Sequence, residues 1–196
     1  MKQIYRKDYK DWAEYYYQYQ FLLTREHYIP YLNRNNINLN RISIIDVGCG
    51  NGGFILAFPN SSSKTGLEVK EFSWKNIDST TFKVHNILIQ DNAKFIKKYD
   101  LAILRDVIEH IDLKQKEVFI NNVNSFLNEK GKLLITFPPY YSPFGLHQQA
   151  LMKSFLRKIP YLSLLPFSFI RILCRLFEDS EVLKELEEIV NSRMTI

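Results

Sequence analysis

Five short apolar blocks along residues 41–137 predict the strands of one sheet. Each block consists of β-branched and aliphatic residues and stops at a glycine, a proline or a polar turn, as strands buried on both faces do. Segments with helical spacing separate most of the blocks, so the pattern predicts an α/β fold with a doubly wound parallel sheet and right-handed crossovers. The predicted strands are 41–47, 65–69, 81–87, 99–104 and 132–137.

Helical patterns precede the predicted sheet and connect its strands. Residues 8–33 are rich in aromatic side chains at mixed helical spacing and predict one or two amino-terminal helices. Residues 53–58 predict a short helix that ends at Pro59. Apolar positions between 118 and 127 predict a longer helix that Gly131 closes.

Charge is distributed unevenly in the last third of the chain. Residues 145–177 carry five bases and no acid, which matches the whole-chain surplus of 26 basic over 21 acidic residues. Prolines divide this segment into two or three short predicted helices, and residues 178–190 predict an amphipathic helix with six acids and one lysine. Because the basic balance is local, it is a poor argument for nucleic-acid binding, and we expect no nucleic-acid partner.

The length, the amino terminus and the two cysteines limit the class of protein. The 196 residues suffice for a single domain that needs no disulfides. Residues 1–8 lack the apolar core of a signal peptide, so we expect a cytoplasmic protein. Cys49 and Cys174 lie 125 positions apart and are expected to be free thiols, and no metal site is expected. The apolar stretch 159–170 is too short to span a bilayer.

Residues 48–53 form a glycine-rich loop after the first predicted strand, and they match the dinucleotide-binding pattern G-x-G-x-x-G. Glu68 follows Gly48 by 20 positions, where a ribose-binding acid belongs. Asp46, two residues before the loop, would repel a pyrophosphate but would favour an ammonium or sulfonium ligand. A tight turn without a ligand is the alternative, and these two acids argue against it.

Two motifs of this sequence resemble those of a known family. Residues 44–52 match the D-x-G-x-G-x-G strand and loop of class I S-adenosylmethionine-dependent methyltransferases. Residues 99–111 are similar to the fourth-strand motif of its small-molecule branch, which includes ubiquinone and menaquinone biosynthesis enzymes. The resemblance covers residues 40–140 approximately. It implies a Rossmann-like sheet, S-adenosylmethionine as cofactor, and a small-molecule acceptor, for which an amphipathic or lipid-linked molecule is one candidate.

The resemblance also implies roles for individual residues. Glu68 would bind the ribose, and Val69 would flank the adenine. Asn86 and Ile87 occupy positions beside the adenine where the family often has an acid and an apolar residue. The full set of implied cofactor-binding residues is Asp46, Gly48, Cys49, Gly50, Asn51, Gly52, Glu68, Val69, Asn86, Ile87, Arg105 and Asp106.

Candidate catalytic groups lie after the fourth and fifth strands. The resemblance implies that Arg105 and Asp106, at the end of the fourth strand, would face the methyl group and the acceptor. Methyl transfer is an in-line displacement, so a base is needed only when the acceptor atom carries a proton. His110 and His147 are the candidate bases, because both follow strand ends that open toward the site. The alternative is that His110 caps a helical turn and His147 is a surface loop residue.

The domain plan follows from the same resemblance. We expect one methyltransferase domain over 1–196, with amino-terminal helices in 1–40, the cofactor-binding core in 41–140 and a helical segment in 145–190. The family's sheet ends in a hairpin, for which too few residues follow Val190. We therefore expect this hairpin to be missing: either the chain is a truncated form, or helices or a second subunit in a homodimer cover the exposed sheet edge.

Several alternatives stay open. The segment 145–177 is a lid over the acceptor site, an internal pair of helices neutralised by the acidic helix, or a peripheral contact with an anionic membrane, and the first two rank above the third. The runner-up functions are a nicotinamide-dependent oxidoreductase with the same glycine loop and a non-catalytic cofactor-binding regulatory subunit.

Overall fold

A five-stranded parallel sheet organises the chain between Ser43 and Thr136 in a computed structural model that describes residues 4–60, 62–74 and 79–194. The strand order is β3-β2-β1-β4-β5, and β1 pairs in parallel with both β2 and β4. The predicted α/β fold and its five strands are therefore confirmed. The strands are β1 (Ser43–Val47), β2 (Ser63–Glu68), β3 (Thr80–Val84), β4 (Tyr99–Arg105) and β5 (Leu127–Thr136).

The sheet reverses its strand order at β1. The chain passes from β1 to β2 and β3 on one side and then returns to β4 and β5 on the other. In open α/β sheets, ligands bind at the carboxyl ends of the strands beside such a reversal. The glycine loop follows β1 directly and therefore begins at this point.

Helices surround the sheet as the apolar periodicity predicts. α1 begins after Asp11, whose carboxylate accepts a 2.8 Å hydrogen bond from the Glu14 N–H. α1 continues through the π-helical segment Thr24–Tyr28 into α2, so Pro30 lies at the start of a helix and does not break one. The helices of this part are α1 (Trp12–Leu23), α2 (Ile29–Arg34), α3 (Gly53–Leu56) and α4 (Lys116–Phe126).

Several predicted boundaries shift, and two of these shifts concern residues to which the sequence analysis gave a role. α4 ends at Phe126 and β5 begins at Leu127, so Gly131 lies inside the strand and does not close the helix. Its missing side chain has a packing reason, because a Cβ there would lie 2.9 Å from the Tyr99 carbonyl oxygen. β3 ends at Val84, so Asn86 lies beyond the strand in a turn, where its side-chain oxygen accepts from the Leu88 N–H at 3.0 Å.

The chain packs as two compact units. The first contains residues up to Arg105 together with Val118–Ile135. Its core lies around β1 and β4, whose apolar side chains are buried together with those of α3 and with Phe119, Val123 and Phe126 of α4. Lys64 is also buried there, and its ammonium group donates to the Phe58 carbonyl at 3.1 Å.

The second unit contains Asp106–Glu117 and the residues from Thr136 onward. Helices from its carboxyl-terminal part share one apolar core, in which Ile170 and Cys174 pack with Val182 and Leu186. This confirms the predicted helical segment after the fifth strand. The helices are α5 (Gln148–Leu151), the short 3-10 helices Phe155–Lys158 and Leu162–Leu164, α6 (Phe167–Phe177) and α7 (Ser180–Ser192).

Two expectations involve residues that lie outside the described ranges. The expectation of no signal peptide rests in part on residues 1–3, and that of a missing hairpin in part on residues 195–196. Within the described ranges, no strand follows β5. None of the helices described is long and apolar enough to cross a membrane.

Candidate functional site

The glycine loop turns sharply between β1 and α3. Gly48, Gly50 and Gly52 all have positive φ, at 82°, 52° and 81°, which glycine adopts far more readily than other residues. The N–H groups of Gly48 and Cys49 both donate to the Leu67 carbonyl, at 2.8 and 3.0 Å, and so hold the loop against the end of β2. A side chain at Gly52 would also collide with the Phe82 ring, because a Cβ would lie 2.6 Å from it.

Two acidic side chains flank this loop. Asp46, near the end of β1, is only 2% exposed. Glu68, the last residue of β2, reaches the loop, and its Oε2 accepts from the Gly50 N–H at 3.0 Å while its Oε1 accepts from the Val69 N–H at 2.7 Å. The structure thus brings the two acids and the loop together, although 22 positions separate Asp46 from Glu68 along the chain.

Burial changes the protonation of Asp46. The pKa of this carboxyl group is raised to about 7: loss of water around the group raises it most, the Arg105 charge lowers it, and the nearby Glu68 charge raises it. A substantial part of Asp46 is therefore protonated at neutral pH. A positive ligand beside it would lower this pKa and recover the cost of the buried charge.

Arg105, the last residue of β4, is placed by an aromatic side chain as well as by Asp46. Its guanidinium carbon lies 5.0 Å from the centre of the Phe54 ring in α3, a cation–π distance. Phe54 itself is buried. Arg105 therefore lies in the first unit beside the carboxyl end of β1.

An aromatic group beside the loop was not anticipated from the sequence. The indole N–H of Trp74 donates to the Gly50 carbonyl at 2.8 Å, and its ring stacks on Phe82 with centres 5.2 Å apart and planes 7° apart. Trp74 lies in the segment after β2, and Phe82 belongs to β3. No periodic signal marks Trp74, because its partner is a backbone atom 24 positions away.

The amino-terminal helix packs on the loop. The Asn51 side chain donates to the Ala13 carbonyl at 3.3 Å and accepts from the Gly53 N–H at 3.2 Å. A Cβ at Gly53 would lie 2.5 Å from the Tyr17 carbonyl oxygen, so only glycine permits this close approach of α1. α1 therefore lies directly against the loop that precedes α3.

The remaining cofactor-site predictions fall around the ends of β2 and β3. Val69 is exposed and Ile87 is buried, while the Asn86 side chain is engaged in its turn. Cys49 is buried, and burial with the nearby acidic charges raises the pKa of its thiol. A nucleophilic cysteine needs a lowered thiol pKa, so the raised pKa of Cys49 indicates a packing role for its side chain.

The second unit holds the predicted histidines and Asp106. Asp106 has a positive φ of 55°, and its N–H donates to the Thr136 carbonyl at 2.9 Å. The rings of His110 and His147 are 6.2 Å apart and nearly perpendicular, although 37 positions separate them in sequence. His147 also has a positive φ, of 54°, at the start of α5.

A cavity of about 600 Å³ opens beside this histidine pair. It is lined by both histidines, by Asp112 and by residues of α5 and α7, including Glu185 and Glu188. All of these residues belong to the second unit. The cavity is large enough for a small organic molecule.

Both histidines hold their protons less tightly than usual. Partial withdrawal from water lowers the pKa of His110, with Lys116 adding to the effect and Asp106 opposing it. The same withdrawal lowers the pKa of His147, and the charge of His110 adds to it. Both rings are therefore neutral at pH 7, the state in which an imidazole accepts a proton.

The chain matches the family model described as a methyltransferase domain over residues 14–186. Among relatives, it is 29% identical over 109 residues to the ubiquinone biosynthesis O-methyltransferase of Rickettsia akari (strain Hartford), an alignment that covers 52% of this chain and 42% of the relative. It is 23% identical over 120 residues to N-methyltransferase 4 of Papaver somniferum, over 56% of this chain and 33% of the relative. The chain thus spans well under half the length of these curated relatives.

A solved structure has a similar fold. The plantazolicin methyltransferase BpumL, determined in complex with SAH, aligns with a TM-score of 0.53 and 16% identity, covering 84% of this chain and 68% of that chain. At this identity the likeness concerns the fold alone. Because the family model covers most of its residues, the chain belongs to the methyltransferase domain family.

Proposed function

We propose that the protein transfers a methyl group from S-adenosylmethionine to a small-molecule acceptor. One observation carries the proposal: the buried Asp46 carboxyl group stands beside a glycine loop that Glu68 also reaches. This is a negatively charged site, and it suits a ligand that carries both a positive charge and ribose hydroxyls.

The charge of the site favours this cofactor over a dinucleotide. At an effective dielectric constant of about 20, two unit charges at 4 Å interact by about 4 kcal/mol. A pyrophosphate would bring negative charge toward Asp46 and Glu68, whereas an ammonium or sulfonium group would neutralise it. The arrangement therefore argues against the nicotinamide-dependent alternative.

We assign the cofactor contacts as follows. Asp46 would face the positively charged end of the cofactor, and Glu68 would exchange its backbone partners for the two ribose hydroxyls. Val69, Asn86 and Ile87 would flank the adenine. The loop residues that would line the rest of the site are Gly48, Cys49, Gly50, Asn51 and Gly52, with Arg105 and Asp106 at the end of β4.

When bound, S-adenosylmethionine supplies an electrophilic methyl group that a nitrogen or oxygen nucleophile takes by in-line displacement. The protein's own contribution is to position the acceptor, exclude water and accept a proton. His110 or His147 would take that proton on a neutral imidazole nitrogen, which their lowered pKa values favour.

The acceptor class rests on the family and on the cavity beside the histidines. One relative is named as an O-methyltransferase and another as an N-methyltransferase, so both acceptor atoms are included in the proposal. A cavity of about 600 Å³ would hold a small molecule. The cytoplasmic location and the homodimer through the sheet edge stay predictions.

Isothermal titration calorimetry tests the proposal with three titrants: S-adenosylhomocysteine, NAD and buffer. We expect a single site for S-adenosylhomocysteine and no heat with NAD. Binding of NAD without any response to S-adenosylhomocysteine would overturn the proposal. A methyl-release assay over a panel of amines and phenols then separates an enzyme from a regulatory subunit that binds the cofactor without turnover.

A further inference from the structure

The outer side of α6 is apolar although it faces solvent. Phe169, Ile172 and Leu176 lie three and four positions apart, and they are 49%, 54% and 69% exposed. The opposite side of the same helix carries Ile170 and Cys174, which are buried in the core of the second unit. α6 is therefore hydrophobic on both sides, whereas a surface helix ordinarily turns a polar side outward.

Further apolar side chains of the second unit are exposed before α6 and at its end. The Phe155 ring, from the preceding 3-10 helix, contacts the Phe177 ring edge to face at 5.2 Å, and both side chains are about half exposed. Leu164 precedes α6 and is 62% exposed. We call the group Phe155, Leu164, Phe169, Ile172, Leu176 and Phe177 the outer apolar face.

Positive charge accompanies the outer apolar face. Two of the five bases in 145–177 are neutralised by carboxylates of α7 and of the residue before it. Lys153 pairs with Asp179 at 2.8 Å, and Arg171 pairs with Glu187 at 3.0 Å. These pairs agree in part with the internal-packing interpretation of this segment.

The other three bases, Arg157, Lys158 and Arg175, are exposed, and no carboxylate in the described part of the chain forms an ion pair with them. Arg157 and Lys158 follow Phe155 within the same 3-10 helix, and Arg175 precedes Leu176 in α6. The unneutralised charge therefore lies next to the exposed apolar side chains.

We propose that the outer apolar face lies on an anionic membrane surface, with α6 parallel to the bilayer plane. Exposed Phe, Ile and Leu side chains next to unneutralised Lys and Arg are the composition of interfacial helices. Anionic lipid headgroups supply the complementary charge, and each Lys or Arg near them strengthens binding about fivefold. α6 has 11 residues and spans about 16 Å, about half the thickness of the hydrocarbon core of a bilayer.

An anionic bilayer fits this surface better than a protein does. A second copy of the chain would bring the same three unneutralised bases toward their equivalents and would lack opposite charge at the contact. A bilayer accepts side chains of any shape, so the exposed side chains of the outer apolar face need no matching groove. This inference does not rest on methyl transfer, because the surface is described without reference to the cofactor site.

Co-sedimentation of the full chain with vesicles tests the proposal. We expect binding to vesicles of phosphatidylcholine with phosphatidylglycerol, and binding at least about tenfold weaker to phosphatidylcholine alone. The double variant Ile172→Ser/Leu176→Ser should weaken binding to the anionic vesicles about tenfold or more, since both side chains would insert. Ile89→Ser, at a residue 80% exposed in the first unit, is the matched control and should bind as the wild type does.

A second variant tests the role of the positive charge. The triple substitution Arg157→Gln/Lys158→Gln/Arg175→Gln should weaken binding to the anionic vesicles about 100-fold. All the substituted side chains are exposed, and circular dichroism verifies that the variants are folded. No binding of the wild type to anionic vesicles would overturn the proposal, and so would equal binding of the wild type and the Ile172/Leu176 variant. A dimer that dissociates in that double variant, without vesicle binding, would assign the outer apolar face to a second copy.

Discussion

Replacing Asp46 with asparagine should stabilise the folded protein while it removes cofactor binding. The Asp46 carboxyl group is fully buried and has a pKa of about 7, against 3.8 in its ordinary state. This difference of about three pKa units corresponds to about 4 kcal/mol between the two protonation states. Asparagine has nearly the same shape and carries no charge, so it avoids this cost.

The sign of the pH dependence follows from the raised pKa. The folded state holds the proton of Asp46 more tightly than the unfolded state, so this contribution to stability is complete below pH 4 approximately and is lost as the pH rises toward 7. We therefore expect the stability gain of Asp46→Asn over the wild type to be about 2 kcal/mol larger at pH 8 than at pH 5.5.

Urea unfolding followed by circular dichroism at both pH values measures this difference. Asp100→Asn is the matched control, because Ser43 hydrogen bonds hold the pKa of Asp100 below its usual value and its carboxylate is ionised throughout this range. That control should be destabilised by a similar amount at both pH values. A gain for Asp46→Asn that does not change between pH 5.5 and pH 8 would refute the reasoning about Asp46.

Three further predictions concern the loop and the histidines. The tryptophan fluorescence of the wild type should change when S-adenosylhomocysteine binds. Trp74→Phe should abolish that change, because the exposed Trp12 is then the remaining tryptophan. A change that persists in this variant would show that Trp74 is not part of the site. Gly53→Ala should cost about 1–3 kcal/mol of unfolding free energy, since the added methyl group collides with the backbone of α1; chemical denaturation that finds no loss would contradict this contact. For an acceptor that must lose a proton, kcat should fall about 100-fold or more in His147→Gln or in His110→Gln. The wild-type rate should decline only below the usual histidine pKa, because the pKa values of both histidines are lowered. Unchanged rates in both variants would exclude a histidine base.

The sequence predicts the sheet well because each strand is a local feature. The apolar run of β1 and the glycines after it define a strand and a turn within ten residues, and the structure confirms them with small shifts of the boundaries. Gly131 shows the limit of local patterns. A glycine after a helical pattern is typical of a helix end, but here Tyr99 from the neighbouring strand explains the need for glycine.

The site is less visible in the sequence because its contacts are distant along the chain. Asp46 and Glu68 are found from their spacing around the loop, yet the raised pKa of Asp46 depends on burial that no motif records. Trp74 donates a hydrogen bond to a backbone carbonyl, and every residue has such a carbonyl, so the sequence does not indicate which one Trp74 contacts. The histidine pair could be anticipated only as two residues after strand ends, and their 6.2 Å separation required the fold.

A crystal structure of the protein grown with S-adenosylhomocysteine tests the central assignment most directly. The account predicts the ligand at the carboxyl end of β1, with both ribose hydroxyls hydrogen-bonded to the Glu68 carboxylate and the ligand's positively charged group on the side of Asp46. A ligand bound elsewhere, with Glu68 still accepting from the Gly50 N–H, would contradict it.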